Sequence, residues 1–317
     1  MAKILITDPC FGESSDAYEV LKRAGHEPVK GPYPIKEADL IPLIGDVQAV
    51  ISGPDTISPA AMDAASELKI IARYGVGLDN IDTVEAAKRR IIVTNAVGAN
   101  ADAVADFVFC AILALARNLK KVSKVVAARE WEITRGTEIY RKTLGVVGTG
   151  NIGRKVIQRA KGFDMRVLTY DVIQDASLVE RFGVEYTDLD GLLEASDIVT
   201  LHVPRMPQTV GLIGRAQLER MKPTAYLINT ARGGIVDEEA LHDAVKNGRI
   251  AGAAVDVYTQ EPPEKPELFA LENILATPHV ASSTNESMRR VDQNCLDNVL
   301  AVLSGKDPVT PVNYPFD

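Results

Sequence analysis

Cysteine is scarce in this sequence, with three residues, Cys10, Cys110 and Cys295, spread over 317 positions. Their wide spacing gives neither a paired disulfide framework nor a CxxC motif, so we predict no disulfide scaffold and no metal site. Widely spaced free cysteines are typical of a reducing compartment, and the predicted location is therefore cytoplasmic.

Long apolar runs and a basic excess are also absent. No uninterrupted apolar run reaches the roughly 18 residues that a membrane span requires. The N-terminal MAKILITDPC has one lysine before a short apolar run that ends at an aspartate and a proline, which indicates a strand rather than a signal peptide. The chain has 35 Lys and Arg against 43 Asp and Glu, a net charge of -8. Nucleic acid and anionic membranes are therefore not predicted as partners.

The composition that is present, 46% hydrophobic and 25% charged residues, is typical of a globular protein long enough for two domains. In the first hundred residues, short apolar strands alternate with amphipathic helical segments such as 17–24 and 59–66. This alternation predicts a parallel α/β domain. The predicted strands are 3–7, 49–52, 68–72 and 91–94.

A second α/β series follows a long helical pattern at 101–128, which is predicted to carry the chain between two domains. Its alternation with helices predicts a doubly wound fold. The final helical pattern, 285–303, ends before Gly305 and is predicted to return to the first domain. We therefore predict a discontinuous first domain, 1–99 with 284–317, and a central domain, 100–283. The predicted strands of the central domain are 144–147, 167–170, 198–203, 226–229, 253–257 and 274–276.

A GxGxxG motif lies between the first strand of the second series and the helical segment after it. Gly148 permits a tight turn, Gly150 lets the backbone approach a pyrophosphate, and Gly153 lets helix and strand pack closely. The amides near Asn151 and Ile152 then face the phosphates from a helix N-terminus. This motif in this context predicts a dinucleotide site.

The strand after the motif ends at Asp171, at the spacing of an acceptor for the adenosine ribose hydroxyls. Its charge would repel the additional phosphate of NADP, and Val172 supplies no arginine to receive that phosphate. NAD is therefore the predicted cofactor. The alternative is an aspartate that merely ends a strand.

Three polar residues follow predicted strands of the second series: Arg232 in NTARGG, Glu261 in AAVDVYTQEPP and His279 in ATPHVASS. Ligands of parallel sheets gather beyond the carboxyl ends of the strands, where all three could meet. An arginine can grip a carboxylate, and a histidine can exchange a proton while a carboxylate stabilises the imidazolium. Each residue alone also has a structural interpretation, as part of a solvated turn or as a loop cap.

The other three histidines fit this chemistry less well. His26 lies in a polar turn and His242 on a charged helix, so both are predicted to be solvated. His202, beside Pro204, is predicted to be a packing residue or to lie beside the cofactor.

The sequence resembles the NAD-dependent D-2-hydroxyacid dehydrogenases, and among them the phosphoglycerate dehydrogenase branch, over essentially its whole length. The resemblance implies an α/β fold of two parallel-sheet domains, with a central Rossmann NAD-binding domain and a discontinuous flavodoxin-like substrate-binding domain. The matching segments are ARYGVGLDNID (72–82), NADAVADFV (100–108), GVVGTGNIG (145–153), NTARGGIVDEEAL (229–241), GAAVDVYTQEPP (252–263) and TPHVASST (277–284).

The same resemblance implies reversible hydride transfer between NAD and C2 of a 2-hydroxy acid. The catalytic residues of the family fall on Arg232, Glu261 and His279. His279 would exchange the hydroxyl proton, Glu261 would stabilise its protonated form, and Arg232 would orient the substrate.

The resemblance also assigns contacts outside this set. Cofactor contacts are implied at Pro204, Thr230 and Asp256, with Asp256 at the nicotinamide carboxamide. Substrate contacts are implied at Arg73, Val76, Gly77 and Asn100, with the backbone amides near 76 and 77 holding the substrate carboxylate. A homodimer through the NAD domain is implied as well. The long segment 101–131 is a candidate for its interface, because its first half, 103–115, is more apolar than a solvent-exposed helix should be. The alternative is that this apolar stretch packs entirely inside its own subunit.

The choice of substrate depends on a loop in the first domain. Phosphoglycerate dehydrogenases commonly carry an arginine in the loop that here reads ISGPD (51–55), and that position falls on Ser52. We predict a small anionic 2-hydroxy acid, with 3-phosphoglycerate as one candidate and hydroxypyruvate or glyoxylate as the alternative. The chain ends where short family members stop, so no regulatory domain is expected. An NAD-sensing, corepressor-like binding protein is the alternative of another class, but the complete catalytic set favours an oxidoreductase.

Overall fold

A computed structural model describes residues 1–316, and residue 317 of the predicted segment 284–317 lies outside the described residues. The chain divides into two compact units, one formed by Met1–Asn100 with the segment that starts at Ser283, the other by 101–282. Each unit contains one sheet in which all strands are parallel, with helices around it. The predicted α/β class with two parallel sheets is confirmed. Over the described residues, no helix is long and apolar enough to cross a membrane.

The elements are numbered here in chain order. The strands are β1 (Lys3–Ile6), β2 (Glu27–Lys30), β3 (Ala49–Ser52), β4 (Ile70–Arg73), β5 (Ile92–Asn95), β6 (Thr143–Val147), β7 (Arg166–Tyr170), β8 (Glu185–Tyr186), β9 (Ile198–Leu201), β10 (Tyr226–Asn229), β11 (Gly252–Val255) and β12 (Ile274–Ala276). The helices are α1 (Ala17–Arg23), α2 (Glu37–Ile44), α3 (Pro59–Ala64), α4 (Thr83–Lys88), α5 (Ala101–Ala116), α6 (Leu119–Ala127), α7 (Asn151–Ala160), α8 (Ala176–Phe182), α9 (Leu189–Ala195), α10 (Arg215–Arg220), α11 (Glu238–Lys246) and α12 (Asn285–Leu303).

The first unit has a five-stranded sheet of order β2-β1-β3-β4-β5. Successive side chains of a strand point to opposite faces, and Ile4 and Ile6 accordingly pack in one core cluster while Leu5 packs in another. Helix α12 covers one face beside β3, β4 and β5. Because both faces are covered, the inner strand β3 is buried at every position. The strand order reverses between β1 and β3.

The second unit has a seven-stranded sheet of order β12-β11-β10-β9-β6-β7-β8. Its strand order reverses between β6 and β9, so the loop after β6 opens at the switch point where doubly wound sheets bind ligands. Helix α11 starts directly after the arginine loop, because the Asp237 side chain accepts a hydrogen bond from the Ala240 amide at 3.0 Å and caps the helix.

The structure contains two strands that the sequence did not predict, and it divides one predicted helix into two. β2 and β8 are edge strands with polar or proline residues, and the apolar pattern did not reveal them. The predicted single helix 101–128 is wrong, since α5 ends at Ala116 and α6 begins at Leu119. Asn118 separates them with a φ of 52°, a left-handed conformation that asparagine adopts more readily than most residues.

Candidate active site

The glycine loop after β6 requires glycine at two of its three glycine positions. Gly148 has a φ of 95°, and a Cβ there would lie 2.6 Å from the His202 carbonyl oxygen. A Cβ at Gly153 would lie 2.1 Å from the Gly148 carbonyl oxygen, so α7 can approach the loop only without a side chain. At Gly150 a Cβ would meet no described atom within 4 Å, which leaves open space at the N-terminus of α7. The free amides of that helix end are suited to a pyrophosphate.

Asp171, directly after β7, is fixed beside this loop. Its Oδ2 accepts hydrogen bonds from the amide (2.6 Å) and the hydroxyl (2.9 Å) of Thr149, and its Oδ1 accepts one from the Ile173 amide at 3.1 Å. Partial burial raises the pKa of Asp171, but the hydrogen bonds from Thr149 and Ile173 outweigh that effect and lower it. The carboxylate is therefore held in place and ionised.

Arg154 also lies at the glycine loop, and the sequence reasoning overlooked it. Its Nε donates to the Thr149 carbonyl oxygen at 3.1 Å, and its Nη1 lies 2.5 Å from Asp175 Oδ2. A cation therefore lies near Asp171, already paired with a carboxylate. A signal was available, since an arginine in the first turn after GxGxxG stays close to the loop.

An orphaned hydroxyl supports the fit of a cofactor. Thr230 follows β10, is 8% exposed, and its Oγ1 is buried without a hydrogen-bond partner among residues 1–316. A buried hydroxyl in that state costs free energy unless a ligand or water bonds to it. Pro204, after β9, is exposed, and its carbonyl oxygen accepts a hydrogen bond from Thr209 at 2.6 Å. These residues and the glycine loop fit a dinucleotide.

His279 and Glu261 lie in hydrogen-bond contact at the carboxyl edge of the seven-stranded sheet. His279 Nδ1 lies 2.8 Å from Glu261 Oε2, and Glu261 Oε1 accepts a hydrogen bond from the Tyr258 amide at 3.1 Å. Burial raises the pKa of Glu261, but the hydrogen bond and charge of His279 lower it overall. With Nδ1 engaged by the carboxylate, Nε2 is the nitrogen left for a reacting oxygen.

Arg232 lies close to this pair. Its charge also lowers the pKa of Glu261, after the larger effects of burial and His279. The next residue, Gly233, packs directly on the loop that leads to Glu261, since a Cβ there would lie 1.8 Å from the Tyr258 carbonyl oxygen. The structure thus brings the predicted Arg232, Glu261 and His279 together, and Gly233 sets the spacing between their loops.

Asp256 supports the loop that carries His279. It is 1% exposed, and its Oδ1 accepts from the Thr277 hydroxyl (2.7 Å) and the Val280 amide (2.9 Å). Its Oδ2 accepts from the Ala281 amide at 2.8 Å. These bonds lie on both sides of His279, whose φ of 52° is a left-handed conformation that needs such support. Sequence reasoning assigned Asp256 to the carboxamide alone and did not find this bracing.

The other three histidines take no part in the contact between His279 and Glu261. His202 Nε2 lies 2.9 Å from Thr200 Oγ1, and burial lowers the pKa of His202 to about 3, so its ring is neutral. The prediction that His242 is solvated is wrong, because it is half-buried with Nδ1 2.9 Å from the Leu268 carbonyl oxygen. His26 is half-buried too, and its Nδ1 accepts from the Ala2 amide at 3.4 Å.

The predicted substrate contacts lie in the first unit. Arg73 ends β4, and its guanidinium donates to the carbonyl oxygens of Ser52 (3.3 Å) and Gly77 (3.1 Å) and to that of Tyr74. It thereby shapes the 74–77 turn. The Val76 carbonyl oxygen accepts from the side chain of Asn95 at 2.8 Å, which also fixes this turn. Asn100 directly precedes α5.

Comparisons with known proteins show which family the chain belongs to. Residues 109–281 match the model of the NAD-binding domain of D-isomer-specific 2-hydroxyacid dehydrogenases. A glyoxylate reductase of Korarchaeum cryptofilum is 43% identical over 86% of this chain and 85% of that protein. The chain belongs to the D-isomer-specific 2-hydroxyacid dehydrogenase family. The predicted family is therefore confirmed.

Two further relatives extend the comparison over the whole chain. A D-3-phosphoglycerate dehydrogenase of Methanocaldococcus jannaschii is 38% identical over 99% of this chain, which spans 60% of the length of that protein. The crystal structure of D-lactate dehydrogenase from Aquifex aeolicus with NAD and lactic acid is 30% identical, with a TM-score of 0.85 and 96% of each chain covered. This dehydrogenase family member is an NAD-dependent oxidoreductase that acts on a CH–OH group, as predicted.

Proposed function

We propose that this dehydrogenase interconverts a small anionic 2-hydroxy acid and its 2-keto acid, with Arg232, Glu261 and His279 as the catalytic residues. The observation that carries the proposal is the 2.8 Å contact between His279 Nδ1 and Glu261 Oε2, near the charge of Arg232. Bound NAD(H) supplies or accepts the hydride. This chain's own residues transfer the proton and bind the negatively charged substrate.

His279 exchanges the proton of the substrate oxygen through Nε2, since Nδ1 faces the carboxylate. In oxidation it takes the hydroxyl proton, and in reduction it returns a proton to the ketone oxygen. Glu261 keeps the ring oriented and stabilises the imidazolium. Arg232 binds the substrate carboxylate and polarises the adjacent carbonyl. We assign Asp256 both the predicted carboxamide contact and the bracing of the His279 loop.

We propose NAD rather than NADP as the preferred cofactor. Asp171 is held ionised by the amides of Thr149 and Ile173, which suits ribose hydroxyls and repels a phosphate. Arg154 is near but paired with Asp175. The amides around Asn151 and Ile152 are assigned to the phosphates. The Thr230 hydroxyl is assigned to the nicotinamide half, and Pro204 lies at the same edge of the sheet. The cytoplasm remains the proposed location.

For the substrate we propose a small 2-keto acid of the glyoxylate or hydroxypyruvate type, or a phosphorylated 2-keto acid as in phosphoglycerate dehydrogenases. The amides of Val76 and Gly77 hold its carboxylate, and Arg73 shapes the turn that contains them. Asn100, which directly precedes α5, is assigned as a further substrate contact. The similarity to a glyoxylate reductase over most of both chains supports the unphosphorylated substrates.

We also propose a homodimer through the second unit, with an interface in the second half of the predicted segment 101–131 and just after it rather than in its apolar first half. Apolar residues of α5 such as Val104, Val108 and Ile112 are buried within their own unit. Exposed apolar side chains occur instead in and after α6, at Leu119 (54% exposed), Val126 (68%), Trp131 (88%) and Ile133 (87%). Apolar surface of this kind is typical of a protein contact.

The enzymatic assignment is tested by following NADH absorbance with a panel of glyoxylate, pyruvate, hydroxypyruvate and 3-phosphohydroxypyruvate. We expect turnover with at least one of these acids and, for the three acids other than glyoxylate, formation of the D-hydroxy product. NADH binding without any turnover would favour the corepressor-like alternative and contradict the proposal.

A further inference from the structure

Tyr258 lies in the segment after β11 that leads to Glu261, and it is none of the proposed catalytic residues. It is 9% exposed, and its ring packs edge-on against Phe269 with the ring centroids 4.9 Å apart. Burial, and after it the charge of Asp256, raises the pKa of Tyr258 to about 12, so the hydroxyl keeps its proton at neutral pH. The side chain is therefore a fixed hydrogen-bond donor within the second unit.

The Tyr258 hydroxyl holds the turn that carries His279. It donates to the Thr277 carbonyl oxygen at 2.9 Å, and the Val255 carbonyl oxygen lies farther away, at 3.3 Å. The same Thr277 oxygen accepts a hydrogen bond from the His279 amide at 3.1 Å. Because the left-handed conformation of His279 is strained, the position of its imidazole depends on the contacts that fix this turn.

The backbone of Tyr258 contacts the loops of the other two catalytic residues. Its amide donates to Glu261 Oε1 at 3.1 Å, and the second oxygen of that carboxylate lies 2.8 Å from His279 Nδ1. Its carbonyl oxygen is so close to Gly233, directly after Arg232, that a Cβ there would collide with it. Tyr258 therefore joins the three loops, and its hydroxyl is the link to the histidine.

We propose that Tyr258 is a positioning residue for proton transfer, whose hydroxyl sets the His279 imidazole against the Glu261 carboxylate through the Thr277 carbonyl group. The inference rests on the proposed function and adds a residue that acts through His279 rather than on the substrate. Without the hydroxyl, the Thr277 carbonyl oxygen loses a donor and the turn gains freedom to move. A small displacement of a reacting group lowers the rate of the chemical step, while the cofactor contacts elsewhere on the sheet are unchanged.

Tyr258→Phe removes this hydroxyl and keeps the ring that packs on Phe269. With NADH and the best 2-keto acid, we expect kcat to fall about five- to tenfold, the rate equivalent of one hydrogen bond, at an unchanged NADH dissociation constant. Tyr226→Phe is the matched control. Tyr226 is a half-buried tyrosine at the start of β10, at the opposite edge of the same sheet, and its side chain is hydrogen-bonded to Thr137. This control should keep the wild-type kcat.

A double-mutant cycle distinguishes positioning from a general loss of stability. If the hydroxyl acts through the contact between His279 and Glu261, Tyr258→Phe should lower kcat little further in a Glu261→Gln background, so that the two effects do not add. A general loss of stability would lower kcat by the same factor in both backgrounds. Thermal unfolding followed by circular dichroism compares the stability of the variants.

The possible outcomes separate this inference from the proposed function. With an active wild-type enzyme, an unchanged kcat in Tyr258→Phe, or an equal fold loss in both backgrounds, would overturn the inference and leave the proposed function standing. A loss of NADH affinity as large as the loss of kcat would overturn it in the same way. A wild-type protein that turns over none of the 2-keto acids would contradict the proposed function itself and the inference with it.

Discussion

Three carboxylates in the second unit, Asp171, Glu261 and Asp256, lie at the proposed cofactor and catalytic positions. Asp171 is ionised beside the glycine loop, Glu261 is ionised against His279, and Asp256 is buried with hydrogen bonds to its loop. For Asp171 and Glu261 the neighbouring hydrogen-bond donors outweigh the effect of burial and lower the pKa. The sequence supplied the positions of these residues, but their hydrogen-bond partners come from the folded chain.

Asp171→Ala is expected to weaken NAD binding and to relax discrimination against NADP, since it removes both the ribose acceptor and the repelling charge. Dissociation constants for NADH and NADPH from fluorescence titration check this. The matched control is Asp175→Ala, which frees Arg154 instead and should improve NADPH alone. Equal use of both cofactors by the unmodified enzyme would refute the assignment to NAD.

Asp8 makes the stability of the protein depend on pH. Burial raises its folded-state pKa from 3.8 to about 6, so the folded state favours the protonated form. The stability that this group contributes is complete below its unfolded pKa and is lost as the pH rises through about 6, a loss of about 3 kcal/mol. Asp8→Asn should lack this loss and be more stable than wild type at about pH 7. Urea unfolding at several pH values measures the difference, and parallel pH curves for the two proteins would refute it.

At the scale of elements, the loops that follow parallel strands hold the site. Gly233 places the arginine loop after β10 on the loop that leads to Glu261. Gly233→Ala puts a Cβ against backbone atoms, so the loops must separate, and a displacement of about 1 Å can lower turnover by roughly a hundredfold. The control Gly162→Ala meets nothing within 4 Å and should retain activity. Steady-state kinetics compare the two, and full activity of the Gly233 variant would contradict the packing.

The sequence predicted the elements that have strong periodic patterns. Inner strands such as β3 and β10 are continuous apolar runs because both of their faces are covered, and their predicted bounds are those observed. The edge strands β2 and β8 carry little apolar character, so no pattern marked them. The break at Asn118 was missed since a left-handed residue interrupts a helix without changing the spacing of its apolar residues. The Asp256 contacts were missed because they join residues about twenty positions apart.

At the scale of the whole molecule, the exposed apolar residues in and after α6 predict assembly. Light scattering at low micromolar concentration should give about twice the 34.2 kDa monomer mass. A double substitution, Trp131→Asp with Ile133→Asp, should shift the mass toward the monomer, because two buried charges would oppose the contact. Val179→Asp, at an exposed position of α8 outside that segment, is the control for general effects of added charge. A fully active monomer at all concentrations would contradict the dimer.

The central claim is that His279, held by Glu261, carries the proton of the reaction. The most direct measurement is the turnover of His279→Ala and of Glu261→Gln with NADH and the best 2-keto acid, together with their NADH affinities. We expect His279→Ala to bind NADH normally and lose about a hundredfold or more in kcat, the usual scale of general acid-base catalysis. Glu261→Gln should lose less and shift the pH profile of reduction to lower pH, because an amide does not stabilise the imidazolium. Unchanged turnover in His279→Ala would contradict the account.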